Sequence, residues 1–271
     1  METPLVSIIL PTYNGARYIK FAIESVLNQK YWNLELIIIN DASTDATPLI
    51  IEKYRKWDSR VVVSRNPVNQ KLVASLNHGI QLAQGEYIAR IDDDDIWIDP
   101  DKLSKQVQKF YDNQRLGVIG SQGIIINDDG KRTGWLIQHA TTIEATRREF
   151  WLKNGLIHTS ILAKKSVLIE AWMYRKQWLY VEDFDLWLRI LALGYEILNI
   201  PEYSIEYRVR SGSTTGKKYY KMQWLTFLRL FSEKYIYSSF WRRIYCLFIR
   251  FLLVIIPASL IRFFTQKNSQ K

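Results

Sequence analysis

The first 95 residues alternate between two hydrophobic spacings. Residues 6–10 form a short apolar run closed by Pro11; Ile19, Ala22, Ile23, Val26 and Leu27 then recur at helical spacing. Residues 34–39 are a second apolar run, ended by Asn40-Asp41. A helix that Ser43 or Asp45 can cap follows to about Trp57. Residues 61–63 read as a third strand. Leu72, Leu76, Ile80 and Ala83 mark a third helix stopped by Gly85, and residues 87–91 read as a fourth strand. Apolar strands separated by helices predict right-handed crossovers and an α/β fold with a mostly parallel, Rossmann-like sheet. Ligands of such sheets bind beyond the carboxyl ends of the strands. The polar residues at those ends are therefore the first candidates for chemistry.

Beyond residue 100 the pattern loosens. It predicts a helix over 101–113, strands at 118–120 and 124–127 with Asp129-Gly130 as a hairpin turn, and a helix over 182–193 ended by Gly194. Short strands follow to about Val209. Residues 211–216, Ser-Gly-Ser-Thr-Thr-Gly, read as a flexible linker.

Charge divides the chain at that linker. Of the formal +10, residues 217–271 contribute 11 Lys/Arg against one acid, Glu233, so residues 1–216 carry 26 of each sign and are neutral. The front of the chain thus gives no electrostatic reason to expect nucleic acid. The same 217–271 segment holds 14 of the 37 aromatic residues. Within it, residues 244–261 are nearly all apolar, broken by Arg250, Pro257 and Ser259. Eighteen residues are at the short end for a bilayer span, and Arg250 near the middle would be costly there. The tail is expected to form amphipathic and apolar helices lying on an anionic membrane surface rather than crossing it. The single cysteine, Cys246, excludes an intramolecular disulfide and suits a reducing compartment. The opening Met1-Glu2-Thr3-Pro4 lacks a basic segment, so the apolar run behind it reads as a strand and not as a leader.

Asp92-Asp93-Asp94-Asp95 directly follows the fourth strand. Adjacent carboxylates repel one another unless a cation compensates, and hard oxygen ligands suit Mg²⁺ or Mn²⁺ carrying phosphate oxygens. A solvated acidic turn ahead of the next helix is the plainer alternative. Asp41, at the end of the second strand, could accept the imide N–H of uracil or thymine, or serve as a helix cap. Pro11-Thr12-Tyr13-Asn14-Gly15 ends the first strand, where Asn-Gly supplies a turn and Tyr13 an aromatic face for a base or for packing.

Taken in order, these stretches resemble the family 2 glycosyltransferases. The matching runs are Val6 to Asn14, Ile39 to Asp45, Gly85 to Asp95, and Val181-Glu182-Asp183-Phe184-Asp185-Leu186-Trp187-Leu188-Arg189. The resemblance spans roughly residues 5–215. It implies a GT-A fold, an inverting mechanism and a nucleotide-sugar donor, with a UDP- or dTDP-sugar favoured. It assigns Pro11, Tyr13 and Asp41 to the nucleotide, Asp92 to the ribose and metal, Asp94 to the metal, and Glu182-Asp183 to the general base, with Asp183 preferred. Residues 1–95 become a nucleotide-binding half, 96–216 an acceptor half, and 217–271 a membrane-associating tail. A glycan acceptor, lipid-linked if the tail binds membrane at its cytoplasmic face, follows from the same reading.

Two positions depart from the family pattern. Asn69-Gln70-Lys71-Leu72 stands where a glycine is common before the third helix; Lys71 there is either solvated or in reach of a phosphate. In Tyr207-Arg208-Val209-Arg210, Arg210 replaces a histidine. An arginine can pair with a diphosphate but cannot ligate a metal. His158 matches a position near the acceptor site, or is structural.

Overall fold

A computed structural model describes residues 3–210, 219–232, 244–249 and 251. The elements run β1 (Val6–Thr12), α1 (Ile19–Leu27), β2 (Leu34–Asn40), α2 (Thr47–Trp57), β3 (Val61–Arg65), α3 (Leu72–Leu82) and β4 (Tyr87–Arg90). They continue through β5 (Ile96–Trp97), α4 (Lys102–Asp112), β6 (Leu116–Ile126), β7 (Arg132–Ile137), α5 (Ile143–Glu149), β8 (Leu162–Lys164) and α6 (Lys165–Glu170). The last are α7 (Glu182–Ala192), β9 (Glu196–Arg208) and α8 (Tyr219–Ser232). The flexible linker expected at 211–216 and most of the apolar run at 244–261 lie outside the described residues.

One nine-stranded sheet has the order β3-β2-β1-β4-β8-β6-β9-β5, with β7 added on β6. β1 pairs in parallel with both β2 and β4, and β2 with β3. This is the parallel block that the alternating pattern predicts. β8 then pairs antiparallel with β4 and β6, so the sheet becomes mixed beyond residue 95. The two separate strands expected around 118–127 are a single strand, β6, bent at bulges where it pairs with β9 and β7. Likewise the short strands expected near the end are one strand, β9. Bulges let one long strand serve two partners without the turn residues that a break would require.

β1 and β2 are buried on both faces, which is why they read as unbroken Val/Ile/Leu runs. Ile8, Leu10, Leu36 and Ile38 meet α1 through Ile19, Ala22, Ile23 and Val26 on one face. Ile9, Ile37 and Ile39 meet α3 and the α6–α7 layer on the other. α8 joins this second layer: Leu230 is fully buried, and Met222, Leu225 and Phe227 pack against the same cluster. Among the described residues no helix is long and apolar enough to cross a membrane.

Candidate active site

Register brings the strand-end acids together. Thr12 pairs with Asn40 and Ile9 with Arg90, so the ends of β1, β2 and β4 lie at one edge of the sheet. Thr12 Oγ1 donates to Asp93 Oδ2 at 2.5 Å. Gly15 lies against this bond: a Cβ there would stand 2.2 Å from Asp93 Oδ2 and 2.6 Å from Thr12 Oγ1, so a larger residue would displace the pair. Asn14, at φ 55°, donates its backbone N–H to Ser43 Oγ at 3.0 Å, and its side-chain oxygen accepts the Thr44 N–H at 2.8 Å. The first two strand-end loops are thereby tied together. Pro11 is buried within β1, and Tyr13 stands half-exposed beside it.

The Asp41 carboxylate is buried and supports a loop. Its Oδ1 accepts the Gln70 N–H at 2.8 Å and Asn66 Nδ2 at 2.7 Å; its Oδ2 accepts the Lys71 N–H at 2.8 Å. Lys71, the residue in place of the usual glycine, has φ 72° and ψ 169°, a region that glycine alone enters freely. The fold therefore keeps a glycine conformation there without the glycine. Asp41 Oδ2 accepts one of these bonds where Oδ1 accepts two, which leaves it the freer oxygen for a nucleobase.

The four-aspartate run splits into distinct environments. Asp92 pairs with the guanidinium of Arg90, a side chain that is 3% exposed, and its N–H donates to Thr159 Oγ1 at 3.1 Å. Asp94 Oδ2 meets Arg210 Nε at 2.7 Å. Asp95 Oδ1 accepts the Arg208 N–H at 2.8 Å, while Arg208 Nε donates to the Asp94 carbonyl at 2.8 Å. Burial pushes the Asp93 carboxyl up to about 7, with Asp94 and Asp92 adding repulsion. Burial and the Asp92 charge push Asp94 up to about 6. Burial also raises Asp95 well above the ordinary range. Carboxyls raised by burial and mutual repulsion are stabilised as anions by any added cation. Asp92 and Asp94 are hard oxygen donors and fit a Mg²⁺ or Mn²⁺ whose remaining ligands come from a diphosphate. Among the described residues no group of three or more acidic, His or Cys side chains could hold such an ion unaided.

Glu182 and Asp183 open α7. Glu182 is 6% exposed and its Oε2 accepts the Tyr180 N–H at 2.6 Å; Asp183 is more open. Asp183 accepts the Phe184 N–H at 2.7 Å and Asn154 Nδ2 at 2.6 Å. Burial and the neighbouring Asp183 charge push Glu182 up to about 7. Burial raises Asp183 too, while Arg90 and its hydrogen bonds pull it back. Arg90 exerts its field on Asp92, Tyr174, Glu182 and Asp183 together, so one fully buried cation links the two acid clusters. His158 is partly buried, 2.7 Å through Nε2 from the Tyr174 hydroxyl and edge-on to Trp187. Burial, and then Arg90, hold His158 far below its ordinary value, so it is neutral.

The structure thus gathers Pro11, Tyr13, Asp41, Asp92, Asp94 and Arg210 at one sheet edge and joins Glu182 and Asp183 to them through Arg90. Thr12, Gly15, Arg90, Asn154, Tyr174 and Arg208 are contributors that the motifs alone did not single out. For Arg90 a signal existed: an arginine at the end of a buried apolar strand, two residues before the acid run, has to find a partner.

A mixed α/β sheet with its acids at the carboxyl ends of parallel strands defines the GT-A nucleotide-binding fold. The description "Glycosyl transferase family 2" matches residues 7–172, and the chain belongs to that family. An Escherichia coli relative, named UDP-Glc:alpha-D-GlcNAc-diphosphoundecaprenol beta-1,3-glucosyltransferase WfaP, is 31% identical over 79% of this chain and 81% of its own. Two solved structures share the fold. Mannosyltransferase PcManGT from Pyrobaculum calidifontis, in complex with GDP-Man and Mn²⁺, has a TM-score of 0.70 at 15% identity and covers 100% of this chain and 82% of its own. S. aureus TarS 1–349 with UDP-GlcNAc has a TM-score of 0.66 at 18% identity and covers 84% of this chain and 67% of its own.

Proposed function

We propose that this chain is an inverting, metal-assisted hexosyltransferase. It moves a sugar from a UDP- or dTDP-sugar to a hydroxyl of a lipid-linked glycan during surface-polysaccharide synthesis, at the cytoplasmic face of the cell membrane. The single observation that carries the reading is the buried Arg90, ion-paired with Asp92 and near enough to Glu182 and Asp183 to act on their charge. Asp92 and Asp94 offer a site for a cation and diphosphate, while Glu182 and Asp183 offer a base. The named activity of the WfaP relative, on a diphosphoundecaprenol acceptor, supports the donor class and the lipid-linked acceptor.

In this reading Asp41 and Tyr13 receive the nucleobase and Asp92 the ribose. Asp94 would be a ligand of a divalent cation, and Arg210, which pairs with it, is placed to meet the diphosphate. A divalent cation held by Asp92 and Asp94 would stabilise the charge of the departing nucleoside diphosphate. Asp183, the more open member of the pair, takes the proton of the attacking hydroxyl, and Asn154 fixes its orientation. Residues 217–271 associate with the membrane. The test is nucleoside diphosphate release across a panel of sugar nucleotides, with and without Mn²⁺. Turnover with one uridine or thymidine donor, dependent on the ion, is expected; no turnover and no metal-dependent nucleotide binding would remove the proposal.

A further inference from the structure

α8 lies along the segment that carries the candidate base. Arg229 Nε donates to Asp185 Oδ1 at 2.7 Å, while Arg189 Nε donates to Asp185 Oδ2 at 2.9 Å. Asp185 is 1% exposed, so it is a buried anion held between two guanidinium groups in the first turn of α7. The Arg229 guanidinium also stands 5.9 Å from the Trp178 ring, and Lys221 Nζ 5.1 Å from the Tyr180 ring. Tyr180 is at φ 86°, a conformation its side chain disfavours, and its N–H is the donor to Glu182. Contacts from α8 therefore reach Tyr180 and Asp185, two positions before and two after the Glu182-Asp183 pair. Leu230 anchors the helix in the core that also holds Phe184 and Leu188.

The described part of this unit also presents exposed apolar and aromatic side chains: Trp224, Ile244, Tyr245, Phe248 and Phe251, Tyr245 at 63%. The Phe227 and Phe251 rings lie 6.0 Å apart, so Phe251 meets α8. A soluble surface rarely shows such a cluster without a partner. Charge names the partner: residues 217–271 hold 11 Lys/Arg and one acid, against a neutral front. Aromatic rings interspersed with basic side chains suit the interface of an anionic bilayer.

We propose that α8 is a bilayer-seated clamp on the catalytic turn: its outer aromatic face rests on anionic lipid, and its Lys221 and Arg229 hold the 178–185 segment in the geometry that activates the base. Arg229 is thus a positioning residue acting through Asp185. The proposal rests on the reading of Glu182-Asp183 as the base. It adds that contact with lipid raises turnover directly, besides bringing the enzyme to its acceptor. A soluble acceptor should therefore show the effect as well.

The test uses the full chain and vesicles of phosphatidylcholine with or without phosphatidylglycerol. UDP release to a water-soluble acceptor is the rate, and UDP–Mn²⁺ binding serves as a check of the fold. Anionic vesicles should raise kcat roughly tenfold with donor KM unchanged, the effect of about 1.4 kcal/mol in the barrier. Arg229→Gln should bind UDP normally, lose roughly tenfold in kcat and lose the vesicle response, with partial rescue in Arg229→Lys. The pair Tyr245→Ser, Phe248→Ser should keep the vesicle-free rate but neither bind vesicles nor respond to them. A wild-type rate indifferent to vesicles would overturn the proposal, as would a full vesicle response in Arg229→Gln. Should Arg229→Gln fail to bind UDP, the double variant decides: a preserved response sinks the idea. If no form releases UDP, the transferase reading has failed instead. Amide exchange of residues 182–188 then judges the clamp alone. Slower exchange on anionic vesicles in wild type, absent in the double variant, supports it; unchanged exchange overturns it.

Discussion

Asp94 and Asp183 have opposite duties in the proposed mechanism, and single-atom changes separate them. Asp94→Asn removes a charge from the cation site and is expected to abolish metal-dependent UDP binding, read by titration calorimetry. Asp183→Asn keeps the hydrogen bond to Asn154, should leave UDP binding intact, and should lower turnover by about 10²-fold or more. Near-normal turnover in Asp183→Asn would shift the base to Glu182. The pH profile tests the same pair. Burial raises both carboxyls, and the Asp183 charge helps bring Glu182 to about 7. The active form is the Asp183 anion, so the acid limb of kcat/KM should lie above the usual carboxylate range near 4. A limb within the usual carboxylate range would show that Asp183 is not what titrates.

At the scale of one element, α3 begins under strain. Its preceding residue, Lys71, sits at φ 72° and ψ 169° because Asp41 needs both the Gln70 and Lys71 N–H groups. A non-glycine residue in this region costs about 1–3 kcal/mol. Lys71→Gly relieves that strain, offset by about 0.4–1 kcal/mol for the freer unfolded chain. The net expectation is a gain of about 1 kcal/mol in unfolding free energy, measured by urea denaturation with the m-value unchanged. A lower urea midpoint would mean that the lysine side chain contributes contacts outweighing the strain. Whether UDP affinity changes alongside reports on Lys71's reach toward phosphate.

At the scale of the whole molecule, charge and packing place the end of the catalytic unit differently. Net charge changes at residue 217, yet α8 beyond it fills the core with Leu230 and compensates Asp185 with Arg229. Removing residues 217–271 would uncover the Leu230 site and leave Asp185 with one of its two buried partners. Unpairing a buried charge and opening apolar surface each cost a few kcal/mol. The truncated protein should therefore melt several degrees lower, as read by calorimetry. A truncated form as stable as the full chain would mean that α8 is an appendage and not a structural part. Liposome flotation of the same two proteins, at low and high salt, measures what the tail contributes to the surface.

The sequence by itself determined the parallel half of the sheet and the identity of its strand-end acids. Those signals are local: unbroken apolar runs for β1 and β2, helical spacing between them, and acids immediately after Ile91. It also showed Arg210 and Lys71 as departures from a pattern, though not that one meets Asp94 and the other takes a glycine's conformation. The tertiary structure alone decided which side chains complete the site. Arg208 reaches Asp95 across 113 positions, Thr12 reaches Asp93 across 81, and Arg229 reaches Asp185 across 44. No spacing rule connects such positions, because they meet only when β9 returns beside β5 and when α8 folds back onto α7. Burial supplies the rest: the same aspartate that would be an ordinary solvated anion in a turn becomes a strained, cation-seeking group once the sheet edge closes around it.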